Sequence, residues 1–596
     1  LPGRGVWVRA AGTAGPTPVA AAGNIAKMPG MADEARAIRT HDWCSSLPLR
    51  LLVYAVVLAA AAAALDGGVR LRRWAWDATT DVHFALSLHN AIQWGRYANQ
   101  VGRVEVYDKL VETHGETGDF KGPAPFALDY PPLRLLIVQR WAAWADARFS
   151  TPGGPPVRWQ NTWEFNRPML RLNMACEMAA AAAMFLLVRH WVRRCAIAPP
   201  PKWAFVHWLQ QRWRRWRGHQ PGGTPSPEDT APPDSRPPWH CGLGAGLLAA
   251  GLLWFNPAVI WNAHCFPQWD VWLLPSFLLA VYLCLRNWWL PAGVLVGIAA
   301  MAKGQILLVT PVILLWPLIT MHFSAVLRMG IGLLLGMTLI ASPWLVRTDA
   351  AWWFLAGTLV AAALTALLLL PLRAMPAWLS AVAGGALLLC VPLLGGSMAW
   401  YTVGLEYGTR HWKVLAWCRA ANLGAILQQR YQWKWADTLD LADYLPLLST
   451  PWVVEIRSLM IGGYVATLVL CAIALAWHAR WHHRSFLFAL TAPWVLMFAL
   501  LPQMIDRYLV WAVATSAAVA AISMRGLLLH AALTVLAWMM MSLWMFQHAR
   551  QAAMSQAWLK LVAGAYPDIG WAVITLAAVS LYLAIAPDRR RWQPLP

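Results

Sequence analysis

The chain has 596 residues, 59% of them apolar and only 13% charged, and a mean hydropathy of +0.45. A soluble chain of this length should carry about 25% charge and split into several domains, so a soluble globular protein is excluded. The formal charge of +20 is not a nucleic-acid footprint either, because the surplus Lys and Arg fall in loops between apolar blocks, where such residues keep a loop cytoplasmic.

Those apolar blocks run for about 17–22 residues, enough to cross roughly 30 Å of hydrocarbon. Many of the 41 tryptophans stand at block ends, where an indole keeps its ring apolar and its N–H wet. The expected fold is an all-α polytopic membrane protein of about fourteen transmembrane helices with both ends inside. The nine cysteines show no C-x-x-C and no zinc spacing, and most lie in apolar blocks as small hydrophobes. Cys265 and Cys418 are the two expected at a non-cytoplasmic surface, without a bridge.

The first thirty residues are Gly/Ala/Pro-rich, and residues 1–48 read as a disordered cytoplasmic stretch, with Met28 or Met31 as the natural start. The first span is 49–65, followed by an external loop, 66–168. In that loop the stretch 74–97 opens with Asp77 and Asp81 and continues as a helix, which either acid could cap. Then comes "FALDYPPLRLL", in which Asp129, Tyr130, Pro131 and Pro132 form a polar island. Proline cannot continue a helix but is welcome in its first turn, so the island should end one surface helix and start another. The stretch 133–149 holds Arg134, Arg140, Asp146 and Arg148. Each would cost about 2.5–3.5 kcal/mol at mid-bilayer, so it is expected to lie on the outer surface as an amphipathic helix.

A second span, 169–188, leads to the basic cytoplasmic loop 189–240. Further spans are expected at 241–255, 271–285, 288–302, 305–321, 330–345, 352–370 and 378–394. After a second external loop, 395–455, come 456–477, 486–501, 508–524, 527–546 and 571–585, then a cytoplasmic tail, 588–596.

The outer helix ends carry charged groups, which are costly there. "NPAVIWNAHCFPQWDVW" supplies His264, Gln268 and Asp270; "AMAKGQILLVTP" supplies Lys303 and Gln305; "PQMIDRYLVWA" supplies Asp506 and Arg507. Each alone has a plain explanation: an interfacial histidine, a snorkelling lysine, a self-neutralising Asp506–Arg507 pair. Their gathering on one side does not.

The order of these elements resembles the C-type glycosyltransferase superfamily. The likeness is nearest to the dolichyl-phosphate-glucose glucosyltransferases of N-glycan assembly and to bacterial polyprenyl-phosphate-sugar transferases. The family's early acid, aromatic and glycine match Asp81, Phe84 and Gly95, and its "DYPPL" element stands letter for letter from Asp129 to Leu133. A His/Phe/Gln/acid element is matched loosely by His264, Phe266, Gln268 and Asp270, with Pro267 inserted. Lys303, Gln305 and Pro311 match a third element, and Ile505 to Tyr508 match a late one that lacks its histidine.

The resemblance implies a catalytic membrane module over 49–345 and a variable module over 346–587. It implies an inverting hexosyl transfer, of glucose or mannose, from a polyprenyl-phosphate donor lipid to a glycan, lipid or protein hydroxyl. The site would face the periplasm of a bacterial inner membrane. Asp81 would be the base. Arg507, with Lys303, would hold the phosphate, and His264, Gln268 and Asp270 would line the sugar or acceptor cavity, with Asp77, Asp129, Tyr130, Gln305 and Asp506 as further binding residues. No cofactor or metal is expected, and no nucleic acid. Two other readings stay open: an ion- or solute-coupled transporter using Lys303 and Asp270, and a non-catalytic subunit of a membrane complex, which the missing histidine before Asp506 keeps in view.

Overall fold

A computed structural model describes residues 47–80, 86–114, 128, 130–151, 154–197, 241–346, 397–406, 414–443, 451–548 and 553–586. The expected spans 352–370 and 378–394, most of the basic loop, and the expected site residues Asp81 and Asp129 lie outside the described residues. The chain forms two compact units, residues 1–66 and 67–596.

Helix α1 (Leu47–Ala78) opens in the first unit and closes in the second. Its early apolar side chains, Leu51, Leu52, Val56 and Leu58, are exposed, as suits a helix facing lipid. It does not end at residue 65 but runs through Asp66, Arg70, Arg72 and Arg73. The extension is held by Arg72, which stacks on Trp254 at 3.6 Å and donates to the Trp254 carbonyl at 2.8 Å.

The polar layer that follows contains α2 (Leu86–Val101), α3 (Glu105–His114) and α4 (Pro132–Phe149). Pro132 occupies the first turn of α4, as its missing N–H predicts. Helix α4 buries Arg134, Leu135, Val138, Trp141, Ala142 and Ala145, one stripe at three- and four-residue spacing. It is not among the helices apolar enough to cross a membrane. Gly95 lets α2 lie directly on it, since a Cβ there would overlap the Val138 carbonyl. Arg96 of α2 then grips Asp146 and the Val157 carbonyl.

Helix α5 (Trp163–Ile197), longer than the expected span 169–188, is followed by α6 (Leu243–Trp254). Beyond α6 the chain continues through Pro257–Ile260 into a π-helical turn, Trp261–Cys265, so this candidate span reaches Cys265 rather than residue 255. A 3-10 turn, Asp270–Leu273, opens α7 (Leu274–Leu285), and α8 (Trp289–Ala302) follows. A short helical turn, Ile306–Val309, precedes α9 (Pro311–Ile319), where Pro311 divides the expected span 305–321. Next is α10 (Phe323–Val346).

Helices α8 and α10 cross backbone to backbone. A Cβ on Gly293 or Gly297 would overlap the carbonyls of Met329 or Leu333; one on Gly332 or Gly336 would overlap those of Leu290 or Val294. Two glycines four apart on each helix are what such close approach requires.

After α11 (Leu423–Arg430), two short strands, β1 (Thr438–Asp440) and β2 (Val453–Glu455), pair antiparallel with Leu439 opposite Val454. This ribbon is the departure from an all-α chain. The remaining helices are α12 (Ile456–Trp481), α13 (Ser485–Leu500), α14 (Leu509–Ala520), α15 (Met524–His548), α16 (Ala553–Ala565) and α17 (Ile569–Ile585). All of α14, and α13 except its last residue, Leu500, is buried, so this hairpin is the core around which the other helices stand. Among the described residues, six helices are long and apolar enough to cross a membrane. The protein is a helical membrane protein.

Candidate functional site

Asp270 is the hub. Its fully buried carboxylate sits where the π turn after α6 gives way to α7. Lys303, at the end of α8, donates to one carboxylate oxygen; the other receives the Asn262 amide at 3.1 Å and faces Arg507 Nε at 3.2 Å. The Arg507 contact is one of charge, since that N–H forms no aligned hydrogen bond among the described residues. The Asp270 carbonyl accepts from Trp511 Nε1 at 2.8 Å, which ties the hub to α14. Lys303 also lies over the rings of Tyr508, at 4.3 Å, and Trp511, at 4.9 Å. Its ammonium therefore lies against two aromatic faces, which favour a cation. Lys303 is 2% exposed, so it does not snorkel to an interface as a lone helix-end lysine would. Gln305 is the next neighbour, donating to the Tyr508 hydroxyl at 3.4 Å.

The Tyr-Pro-Pro turn covers this group from α4. Arg134, fully buried, lies between the Tyr130 ring at 3.3 Å and the Trp269 ring at 4.1 Å. Tyr107 donates to the Tyr130 carbonyl at 2.8 Å, and Trp94 packs on the Tyr130 ring at 5.5 Å. The segment Thr402–Glu406 presses on the turn through Gly404, where a Cβ would stand 2.8 Å from Pro131. The charge of Arg134 reaches Lys303, and Tyr130 is near enough to act on Arg507. Five charged side chains therefore gather here: Arg134, Lys303 and Arg507 against Asp270 and Asp506.

Asp506 and Arg507 do not neutralise each other as neighbours in sequence suggest. They share a 3-10 turn, Asp506–Tyr508, and Arg507 reaches Asp270 instead. Asp506 is fully buried; the backbone N–H groups of its own turn lie near it without forming well-aligned bonds. Burial pushes its carboxyl up to about 7, against the opposing pull of Arg507. Asp506 also acts on Cys418 and Tyr566, which wall a cavity of about 240 Å³ with Trp417, Arg419 and Gln429. Cys418 and Arg419 both take left-handed backbone angles there, φ 49° and 59°, a conformation non-glycine residues rarely hold.

His264 and Gln268 do not join the hub. His264 Nε2 faces Glu177 at 3.2 Å, and Glu177 is held by Arg72, all three side chains being buried. This triad, drawn from α1, α5 and the π turn, ties the helices together. Glu177 is not among the residues expected at the site, although an acid inside an apolar block is its own signal. Gln268 donates to Ser87 Oγ at 2.7 Å, while its carbonyl and that of Ala263 both accept from Asn173 at 2.8 Å. The side-chain oxygens of Gln268 and Asn262 are buried acceptors with no hydrogen-bond partner among the described residues.

Asp77 is not a helix cap. It lies in the last turn of α1, half exposed, and pairs with Arg73 one turn earlier at 2.8 Å. The next helix begins at Leu86, so the cap role expected for Asp77 has no helix to serve. Cys265 is buried, with its thiol toward the Ala75 carbonyl, and does not reach a surface. A scan against protein-family models and a search of curated proteins return no match for this chain.

Proposed function

We propose that the protein is a membrane glycosyltransferase that takes a hexose from a polyprenyl-phosphate donor and gives it to an acceptor hydroxyl on the non-cytoplasmic face. The observation that carries the reading is the convergence of Lys303 and Arg507 on Asp270 beneath the Tyr130-Pro131-Pro132 turn. In the transfer, the acceptor oxygen attacks the anomeric carbon, the bond from that carbon to the phosphate oxygen breaks, and polyprenyl phosphate leaves. Guanidinium and ammonium groups hold such a leaving phosphate well. Asp270 keeps the two cations side by side without hydrogen-bonding Arg507, whose N–H stays available to a phosphate oxygen. The side-chain oxygens of Asn262 and Gln268, which accept no hydrogen bond among the described residues, suit the donor hydroxyls of a sugar. Asp81 is the proposed base that takes the acceptor proton.

A second reading, a proton- or ion-coupled transporter, draws on the same buried Asp270–Lys303 pair, since an ionisable pair at membrane depth can relay charge. One experiment separates them. Purified protein is given radiolabelled polyprenyl-phosphate glucose or mannose, with wild type beside Arg507→Ala, Asp81→Asn and Asp77→Asn at matched folding. Transfer by wild type, a fall of about 10²–10⁴ in Asp81→Asn, weakened donor use in Arg507→Ala, and an active Asp77→Asn are expected. Full activity in Arg507→Ala would remove the phosphate role. Absence of transfer from either donor, together with proton-coupled flux in proteoliposomes that Asp270→Asn abolishes, would overturn the transferase reading.

A further inference from the structure

A cavity lies away from the Asp270 hub. It has a volume of about 490 Å³ and is lined by Arg189, His190, Arg193 and Arg194 from the end of α5, and by Tyr282 and Arg286 from the end of α7. Asp270 opens the 3-10 turn that leads into α7, and Arg286 closes that helix. At 1.5 Å per residue the two lie about 24 Å apart along one axis. The cavity therefore sits at the opposite mouth of the helices from the hub.

Four arginines around one hollow need an explanation. Cations at helix C-termini are favoured by the macrodipole, which accounts for Arg194 in the last turn of α5 and Arg286 at the cap of α7 taken singly. It does not account for arginines of two helices facing one space. Arg194 and Arg286 act on each other as like charges, and both, with Arg193, act on the His190 ring. Among the described residues, Arg193, Arg194 and Arg286 form no ion pair, and no acid lines the cavity. Among the described residues His190 Nε2 is buried without a hydrogen-bond partner, its ring edge-on to Tyr282 at 5.5 Å. Arginine forks match phosphate oxygens, and basic pockets between membrane helices at the bilayer edge are suited to phosphate-bearing headgroups.

We infer that this cavity binds a phosphate-bearing anionic ligand, the headgroup of an acidic phospholipid being the form its place at the end of two apolar helices favours. The volume suits a phosphodiester headgroup. The inference does not depend on the transferase reading, because it uses none of the hub residues.

The test uses the purified full chain in detergent, with lipid retention read by native mass spectrometry for cardiolipin, phosphatidylglycerol and phosphatidylcholine. Soluble inorganic phosphate and pyrophosphate are titrated separately. Wild type should retain the two acidic lipids over phosphatidylcholine. Arg193→Gln/Arg194→Gln/Arg286→Gln should lower that retention by roughly tenfold or more, and Arg525→Gln, an exposed arginine on α15, should leave it unchanged. Arg286→Gln alone, at an exposed helix end, gives a readable intermediate loss if the triple variant folds poorly. Binding of inorganic phosphate or pyrophosphate with the same arginine dependence would support the site and assign it to a soluble phosphate. Equal retention in wild type and in both arginine variants, with no soluble phosphate bound, would overturn it.

Discussion

Replacing Asp270 by Asn is the change to which the hub should respond most strongly. The substitution keeps the shape but removes the charge that two buried cations share, Lys303 and Arg507. Removing one partner of a buried pair costs about 3–5 kcal/mol, and with two cations left facing each other the upper end is expected. Lys303→Met is milder, because Asp270 keeps Arg507 at 3.2 Å and the Asn262 amide at 3.1 Å; about 3 kcal/mol is expected. The double variant should cost less than the two singles together by about 1–3 kcal/mol, the range for groups in direct contact. Unfolding by SDS in mixed micelles, followed by tryptophan fluorescence, measures all four proteins on one scale. Additivity within about 0.5 kcal/mol would refute the shared pair.

Asp506 should make stability depend on pH. Its folded pKa of about 7 lies above the ordinary 3.8, so the folded state holds the proton more tightly and its stability is lost as pH rises from about 4 through 7. Asp506→Asn should therefore stabilise at pH 8 and change little at pH 4; equal effects at both would count against a buried carboxyl. Gly297→Leu should break the crossing of α8 and α10, where a Cβ already overlaps the Leu333 carbonyl. The expected loss is about 1–3 kcal/mol or more, read by the same unfolding assay, and an unshifted midpoint would show that the helices do not meet through their glycines.

Much of the helical frame is legible in the sequence, because lipid-facing segments must be apolar over their whole length. Segments 456–477, 527–546 and 571–585 correspond to helices α12, α15 and α17. The errors come where distant partners decide. Helix α1 runs thirteen residues past the expected end at residue 65 to Ala78 because Glu177 and the Trp254 carbonyl receive Arg72, and no local pattern announces partners so far along the chain. The same is true of the hub. Asp270, Lys303 and Arg507 are each visible as costly charges at helix ends, but that Arg507 prefers Asp270 to its neighbour Asp506 depends on the turn they share. His264, grouped by pattern with Gln268 and Asp270, turns to Glu177 because the π turn rotates it away. The glycines at four-residue spacing on α8 and α10 form a contact motif that is legible in the sequence by itself.

The glycine crossing also decides which wall of the hub can yield. Lys303 ends α8, and α8 lies on α10 with backbone against backbone, so it cannot swing outward without carrying the other helix along. On the far side α14 is packed on every face. The remaining wall around Lys303 and Arg507 is the Tyr-Pro-Pro turn, whose backbone meets that of Gly404.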